Sequence, residues 1–428
     1  MSSRRERMLD LTQRTIAHGV HMRIGRLQTE DDRLNGSTLL LDGKRLIDFG
    51  SCSYLALNRD SRLKQAAQLA IERYGTSHSS SPMYTSVGLY GDLEEQLERI
   101  LGGPVAVAPT TTLAHLAALP ALVGSDDLVL LDHSSHASLR LAADVLRGQG
   151  IQVEMIRHND VAALRKRLEE CSAEFDKIWY AADGLYSMFG DYAPVAEIAP
   201  LLDEFPGLHV YYDEAHSFGW AGDSGRGYVL EHVPWHPRMV IVAGLSKSFA
   251  ANGAVLAFGT EELRQRVVYC GSSFTFSGPV QIGSLGAAIA SASIHLTGEH
   301  QKLQQQLHQR IDLSRDLLLE NGLPLMRQDQ SPIWFVKVGR VNDAIQLVRD
   351  LMEAGFYTNP AGYPAVPLGS AGVRFTQTLH HTEKDLRGLI AAITRLMPTP
   401  EPEVVIDLRD TAVDKMAADP AASAELGT

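Results

Sequence analysis

Lys247 is the residue of this sequence whose surroundings best suit covalent chemistry. It lies in a short polar turn between two uncharged runs, Met239 to Ala243 and Ala254 to Phe258, each typical of a strand buried on both faces. Because an ammonium group is costly to desolvate, we expect a lowered pKa for Lys247 and a partly neutral amine, able to form a Schiff base with a carbonyl. A surface lysine at a strand end fits the same pattern, whereas a P-loop requires glycine in place of Ser246.

Two more predicted strands end on polar residues. Leu208 to Tyr212 leads into Asp213, and a buried carboxylate there requires a cationic partner, such as a protonated ring nitrogen, or else serves as a helix N-cap. His216 is suited to donating to a phenolic oxygen on the same ring, unless backbone groups satisfy it. Ile178 to Ala182 leads towards Ser187, which either reaches that oxygen or is a turn serine.

A phosphate site is predicted where a polar turn precedes a helix. Pro109 to Thr112 comes directly before the apolar helical run Leu113 to Leu122. Free N–H groups and the helix dipole favour an anion at such a place, and Thr110, Thr111 and Thr112 add three hydroxyls. A plain N-cap explains the threonines equally well.

The next polar loop contains two histidines, His133 and His136. One of them is suited to stacking on a flat ring. The pair also raises the alternative of a metal site, but no H-E-x-x-H motif and no further carboxylate spacing supports one. We therefore expect no metal.

The elements that carry these residues alternate between strand and helix patterns, which indicates an α/β fold with a mostly parallel, seven-stranded sheet. In such a sheet, functional sites form beyond the carboxyl ends of the strands. The predicted strands are Val105–Ala108, Leu128–Leu131, Gln152–Ile156, Ile178–Ala181, Leu208–Tyr212, Met239–Ala243 and Ala254–Phe258.

Four segments are predicted along the chain. Residues 1–50 form an N-terminal arm with a hairpin around Asp42 and Gly43, and 51–295 form the large domain. Residues 296–398 form a smaller α+β C-terminal domain, and 399–428 form a tail that we expect to be flexible.

The composition favours small-molecule chemistry. The 428 residues are 45% hydrophobic and carry a net charge of −12, which argues against nucleic acid or an anionic membrane as partner. No signal peptide and no apolar run long enough for a membrane span is visible. Three scattered cysteines, without C-x-x-C spacing, suggest a reducing cytoplasm.

Taken in order, these motifs resemble those of the α-oxoamine synthases, a branch of the fold type I enzymes that use pyridoxal 5'-phosphate. Each motif is weak alone, but the ordered set is specific and extends over roughly residues 45 to 395. The matching pieces are His136 in SSHASL, Asp183–Asp191 (DGLYSMFGD), Asp213–His216 (DEAH), Gly225–Gly227 (GRG), Lys247 in LSKS and Arg374 in VRFTQT.

The resemblance assigns roles around the cofactor. It implies that Lys247 forms the imine with pyridoxal 5'-phosphate, that Asp213 pairs with the ring nitrogen and that His136 stacks on the ring. Ser187 and His216 are implied to contact the phenolic oxygen.

The resemblance also assigns substrate contacts and a partner. Arg374 is implied to bind the substrate carboxylate through its planar fork, with Tyr54 and Ser81 also at the substrate site. The family forms homodimers with shared active sites, in which Thr275 or Ser277 of the partner chain binds the phosphate. The implied reaction joins an α-amino acid to an acyl thioester, on coenzyme A or a carrier protein, usually with loss of carbon dioxide, to give an aminoketone.

Three departures from the family pattern bear on substrate and cofactor binding. Gly244 replaces a threonine that contacts phosphate, so Ser246 or Thr110 to Thr112 must compensate. Cys52 to Leu57 replaces the usual N-D/N-Y-L-G-L. The loop Gly75 to Met83 is serine-rich, with proline where the family has arginine, and this leaves the acyl donor and the amino acid open.

Two other functions remain as alternatives. One is a different reaction on the same cofactor, such as transamination, retro-aldol cleavage or decarboxylation. The other is a non-catalytic binding protein that keeps the fold, although the set of polar groups that a working site requires is present in the sequence.

Overall fold

The structure is a computed structural model that describes residues 4–363 and 365–398. The tail predicted to be flexible, 399–428, lies outside the described residues. The predicted boundaries at 50/51 and 295/296 remain predictions. No helix among the described residues is long and apolar enough to cross a bilayer.

The strands of the described residues form three sheets. They are β1 (Thr38–Leu41), β2 (Lys44–Asp48), β3 (Val105–Ala108), β4 (Leu128–Asp132), β5 (Gln152–Ile156), β6 (Ile178–Asp183), β7 (Leu208–Asp213), β8 (Met239–Gly244), β9 (Ala254–Phe258), β10 (Ile333–Gly339), β11 (Phe356–Tyr357), β12 (Asn359–Ala361) and β13 (Ala371–Thr376).

The helices follow the predicted alternation. They are α1 (Arg4–His21), α2 (Ser61–Tyr74), α3 (Leu89–Leu101), α4 (Thr111–Leu122), α5 (Ala137–Gly148), α6 (Val161–Cys171), α7 (Val195–Glu204), α8 (Tyr228–His232), α9 (Glu261–Cys270), α10 (Ser272–Phe276), α11 (Ile282–His295), α12 (Gly298–Glu320), α13 (Val341–Glu353) and α14 (Glu383–Leu396).

The central sheet confirms the predicted α/β fold. Its order is β3-β9-β8-β7-β6-β4-β5, and β9 alone of these seven strands runs antiparallel to its neighbours. The strands are buried along most of their length because helices pack on both faces, as their continuous apolar runs require. The parallel carboxyl ends of β4, β6, β7 and β8 therefore open on one edge.

Several strands are longer at the carboxyl end than the sequence predicted. Pairing continues through Asp183 on β6 and Asp213 on β7, which lie opposite each other in register. The sequence analysis ended each strand at its last apolar residue, whereas the hydrogen-bonded ladder extends into the polar residues of the site.

Two smaller sheets complete the fold. The predicted hairpin forms from β1 and β2, and both turn residues, Asp42 and Gly43, have positive φ, as a two-residue turn of this type requires. Strand β11 then pairs in parallel with β2, so the N-terminal arm is joined to a late segment of the chain. The third sheet, β10-β13-β12, is antiparallel and places Arg374 in its central strand.

Candidate active site

Lys247 lies in the turn that connects β8 to β9, whose ends are paired through Gly244 and Ala254. Its side chain is half-buried. Burial lowers the pKa of Lys247, and the positive charge of Arg374 adds to this, while the negative charges of Asp213 and Asp183 oppose it. The net lowering leaves a larger neutral fraction of the amine than an exposed lysine has.

Asp183 and Asp213 are two buried carboxyl groups at the ends of adjacent strands, 3% and 4% exposed. Burial and the neighbouring Asp213 raise the pKa of Asp183 well above its usual range. Burial also acts to raise the pKa of Asp213, but the charge and hydrogen bond of His115 outweigh it and lower that pKa. Two like charges so close oppose each other's ionisation, and the opposite shifts of the two pKa values make Asp183 the more readily protonated of the pair.

His115 is a site residue that the sequence analysis missed. Its Nε2 lies 2.9 Å from Oδ2 of Asp213, and its Nδ1 lies 2.9 Å from the hydroxyl of Tyr211. His115 is fully buried on α4, a helix of mostly alanine and leucine. A lone histidine on such an apolar helix is the signal that was available, because a buried ring requires a polar partner.

His136 begins α5 and is tied to the same strand ends. Its backbone N–H donates to Oδ1 of Asp183 over 3.1 Å, and its ring Nδ1 lies 2.7 Å from Oγ of Ser138. Burial lowers the pKa of His136, and the charge of Lys247 lowers it further although Asp213 opposes this. The imidazole is therefore neutral at physiological pH and close enough to Asp213 and Lys247 for both to shift its pKa, while its stacking role remains a prediction.

His216 is held by Tyr54. The hydroxyl of Tyr54 lies 2.8 Å from Nδ1 of His216. Burial lowers the pKa of His216 well below its usual value and raises that of Tyr54, so both are neutral. Tyr54 then donates to Nδ1, which leaves the hydrogen of His216 on Nε2. The hydroxyl of Tyr54, predicted to bind substrate, is thus engaged by His216, and its substrate contact remains a prediction.

Arg374 approaches the site from β13. Its Nε donates to the backbone carbonyl of Ser187 over 2.7 Å, and its Nη2 lies 4.0 Å from Sγ of Cys52. The residue is only 9% exposed. Within 4–363 and 365–398, no aspartate or glutamate forms an ion pair with this guanidinium. Its outer nitrogens are therefore available for a carboxylate.

The loop that carries Ser187 is fixed by a histidine that was not anticipated. His158 bridges two carboxylates, with Nδ1 2.9 Å from Oδ1 of Asp132 and Nε2 2.7 Å from Oδ2 of Asp191. Burial acts to lower the pKa of His158, but these two partners raise it to about 9. The charged ring ties Asp191, at the end of the loop, to the end of β4.

The predicted phosphate cradle lies at the start of α4. Thr110 is the N-cap, and its hydroxyl accepts from the N–H of Leu113, so the helix begins earlier than predicted. A Cβ atom placed on Gly244 would lie 3.4 Å from Cγ2 of Thr111. Thr111, in the first turn of α4, therefore adjoins the end of β8 that leads into the Lys247 turn, whereas Ser246 in that turn is exposed and the contacts of Thr112 with phosphate remain a prediction.

Three predicted site residues, Ser81, Thr275 and Ser277, lie in a separate part of the fold. Oγ of Ser81 donates to the backbone carbonyl of Phe274 over 3.1 Å, directly beside Thr275 on α10. The hydroxyl of Ser277 lies 3.5 Å from the carbonyl of Gly278. Among the described contacts, the Ser81 bond links the loop after α2 to α10 rather than to Lys247, and the roles of all three residues remain predictions.

Comparison with known proteins identifies the family. Residues 44–393 match the family described as aminotransferase class I and II. The chain belongs to the aminotransferase class I and II family. Its α-oxoamine synthase resemblance is also confirmed by similar curated members of that family.

One relative is the serine palmitoyltransferase of Bacteriovorax stolpii, 30% identical over 83% of this chain and 83% of that protein. Another is the 8-amino-7-oxononanoate synthase of Geobacter sulfurreducens, 31% identical over 84% of this chain and 91% of that protein. Among solved structures, a serine palmitoyltransferase from S. paucimobilis is 24% identical and covers 92% of this chain and 98% of its own, with a TM-score of 0.83. The last comparison confirms the predicted fold type I architecture.

Proposed function

We propose that this member of the aminotransferase class I and II family is an acyltransferase that uses pyridoxal 5'-phosphate. It condenses an α-amino acid with an acyl thioester, usually with loss of carbon dioxide, to give an aminoketone. The names of the relatives, serine palmitoyltransferase and 8-amino-7-oxononanoate synthase, support this reaction class. The observation that carries the proposal is that Lys247, in the turn after β8, is close enough to Asp213 on β7 and to Arg374 on β13 for both charges to shift its pKa.

The residues present fit the cofactor. Asp213 is a buried carboxylate that stays ionised, as a partner of a protonated ring nitrogen must be. The N-terminus of α4, with Thr110, Thr111 and Thr112, offers N–H groups and hydroxyls to a phosphate. The solved serine palmitoyltransferase from S. paucimobilis has pyridoxal 5'-phosphate bound as an aldimine, which supports the same cofactor here.

The side chains around the ring divide the remaining tasks. His136 would stack on it, while Nε2 of His216 and the hydroxyl of Ser187 would hold its phenolic oxygen. When bound, the cofactor supplies an electron sink for negative charge at the α-carbon of the amino acid. Lys247 anchors it and, once released, takes the α-proton, because its lowered pKa leaves a neutral amine.

Arg374 orients the amino acid by binding its carboxylate with the nitrogens that Ser187 does not occupy. The new carbon–carbon bond joins the α-carbon to the acyl carbonyl carbon, and the thiol of the donor leaves. Tyr54 and Ser81 are proposed to complete the substrate site.

A homodimer with shared sites is part of the proposal. The exposed Phe276, beside Thr275 and Ser277, supports burial of this segment by a second chain, whose hydroxyls then reach the phosphate. Ser246 is proposed as a further phosphate contact. Three free cysteines in the described residues fit a reducing cytoplasm.

Thiol release tests the reaction. Holoenzyme is mixed with single amino acids and an acyl thioester, as coenzyme A ester or loaded carrier protein, and free thiol and aminoketone are measured. We expect thiol release that requires both substrates and is lost in Lys247→Ala but kept in the exposed-lysine control Lys177→Ala. Keto acid formation without thioester would instead assign an aminotransferase.

A further inference from the structure

His115 and Tyr211 form a buried polar chain behind Asp213. Nε2 of His115 lies 2.9 Å from Oδ2 of Asp213, and Nδ1 lies 2.9 Å from the hydroxyl of Tyr211. Both rings are fully buried. Because an ionised carboxylate only accepts, Nε2 must carry hydrogen, and the tyrosine hydroxyl is the hydrogen-bond partner of Nδ1.

The chain fixes the orientation of the carboxylate. Oδ2 of Asp213 accepts from His115, and Oδ1 accepts from the backbone N–H of Ala215 over 2.9 Å. Each carboxylate oxygen has about two acceptor positions, so both retain one. Two bonds from the protein therefore set the plane of the group, and each oxygen keeps capacity for one more donor.

Asp213 needs this support because its other surroundings are mixed. Burial and the neighbouring carboxyl of Asp183 favour its protonated form, while Lys247 favours the ionised form. His136 also faces it and is neutral. The pKa of Asp213 nonetheless lies below its usual value, and after the opposing effect of burial the largest cause is His115, through both charge and hydrogen bond.

The position of His115 on α4 connects it to the other end of the proposed cofactor site. Thr111, in the first turn of that helix, adjoins the Lys247 turn, and His115 follows four residues later on the same face. One helix thus presents the phosphate cradle and, one turn on, the residue that holds the partner of the ring nitrogen.

We propose that His115 is a positioning residue for the cofactor ring: its Nε2–H keeps Asp213 ionised and directed at the ring nitrogen, and Tyr211 holds the imidazole in place. This inference rests on the proposed use of pyridoxal 5'-phosphate. It predicts that His115 affects cofactor binding only through the contact between Asp213 and the ring nitrogen.

A pair of ligands that differ only at that atom tests the proposal. Binding of pyridoxal 5'-phosphate and of its 1-deaza analogue, which has CH in place of the ring nitrogen, is measured on the apoprotein by absorbance titration. We expect His115→Asn to reduce the preference for the natural cofactor about tenfold and Tyr211→Phe about threefold. Affinity for the deaza analogue should remain within about twofold in both variants.

Two control variants make the same two side-chain replacements at other positions, both on β7, the strand that carries Tyr211. His209 is a buried histidine at the opposite end of β7, bonded to the carbonyl of Gly207, and His209→Asn should leave the preference unchanged. Tyr212 follows Tyr211 but belongs to the core on the other face of the sheet, and Tyr212→Phe should also leave it unchanged.

The outcomes separate this inference from the function on which it rests. Equal weakening of both ligands in His115→Asn would show a structural role only and overturn the proposal. If that variant does not fold, unchanged preference in Tyr211→Phe overturns it. A wild-type protein that binds both ligands equally would contradict the contact of Asp213 with the ring nitrogen, and with it the proposed cofactor site.

Discussion

Arg374 shows how a single residue is prepared for a ligand. The carbonyl of Ser187 holds one edge of its guanidinium, so the planar fork has a fixed direction before any substrate arrives. A preorganised fork loses less side-chain entropy on binding a carboxylate than a free one. Removal of the Arg374 side chain should therefore weaken binding of the amino acid rather than binding of the cofactor.

We expect Arg374→Ala to raise the KM for the amino acid about a hundredfold, because two charge-assisted hydrogen bonds are lost. Cofactor affinity should change by less than about threefold. Arg374→Lys is the matched control, since it keeps the charge without the fork and should lose about tenfold. Steady-state kinetics and cofactor titration measure the two effects, and equal losses in both would contradict the assigned role.

At the scale of single residues, the sequence predicted the positions of candidate site residues that a pattern in the neighbouring sequence marks. Lys247 in a turn between buried runs, and Asp213 at a strand end, are such cases. His115 and His158 were missed because their partners lie far along the chain, Asp213 for one and Asp132 with Asp191 for the other. No local pattern states which distant carboxylate a histidine will meet.

The connection after β7 contains an element held by a buried acid. Glu214 is fully buried, and Ser217 donates to its Oε2 over 2.5 Å. A Cβ atom on either Gly184 or Gly227 would clash with its carboxyl group, so both glycines permit close packing against it. Burial raises the pKa of Glu214 from 4.5 to about 8, although Ser217 and the backbone oppose this. At neutral pH this group is protonated.

Glu214 should make stability depend on pH. Its folded-state pKa is raised, so its contribution to stability is complete below pH 4.5 and is lost as pH rises to about 8. In Glu214→Gln this loss is absent, and the free energy of unfolding of the variant relative to wild type should rise by about 4 kcal/mol over that range.

Denaturant unfolding at several pH values measures this difference. Glu204→Gln is the control, because Glu204 forms only an exposed pair with Arg165, and it should change little. If the free energy of unfolding changes with pH in the same way in wild type and Glu214→Gln, the protonated state of Glu214 is contradicted.

At the scale of elements, the apolar periodicity predicted the seven central strands. Caps explain one difference: Thr110 starts α4 earlier than its apolar run indicated. The two short strands β11 and β12 were missed because they have few residues and depend on pairing with β2 and β13. Such strands are specified by tertiary contacts rather than by their own sequence.

For the whole molecule, the topology explains why one lysine is set apart. The chain has nine lysines, and within the described residues all except Lys247 are exposed. Lys247 is brought to the carboxyl edge of the sheet because β9 reverses direction after β8. The sequence predicted both strands, but not that β9 would be the antiparallel member, since buried runs of either direction look alike.

Reduction of the holoenzyme with borohydride tests the central claim most directly. The protein is loaded with one equivalent of pyridoxal 5'-phosphate, reduced, digested and mapped by mass spectrometry. The label should lie on Lys247 and be absent in Lys247→Ala. A label on an exposed lysine such as Lys177, or an equal label in the variant, would contradict the account.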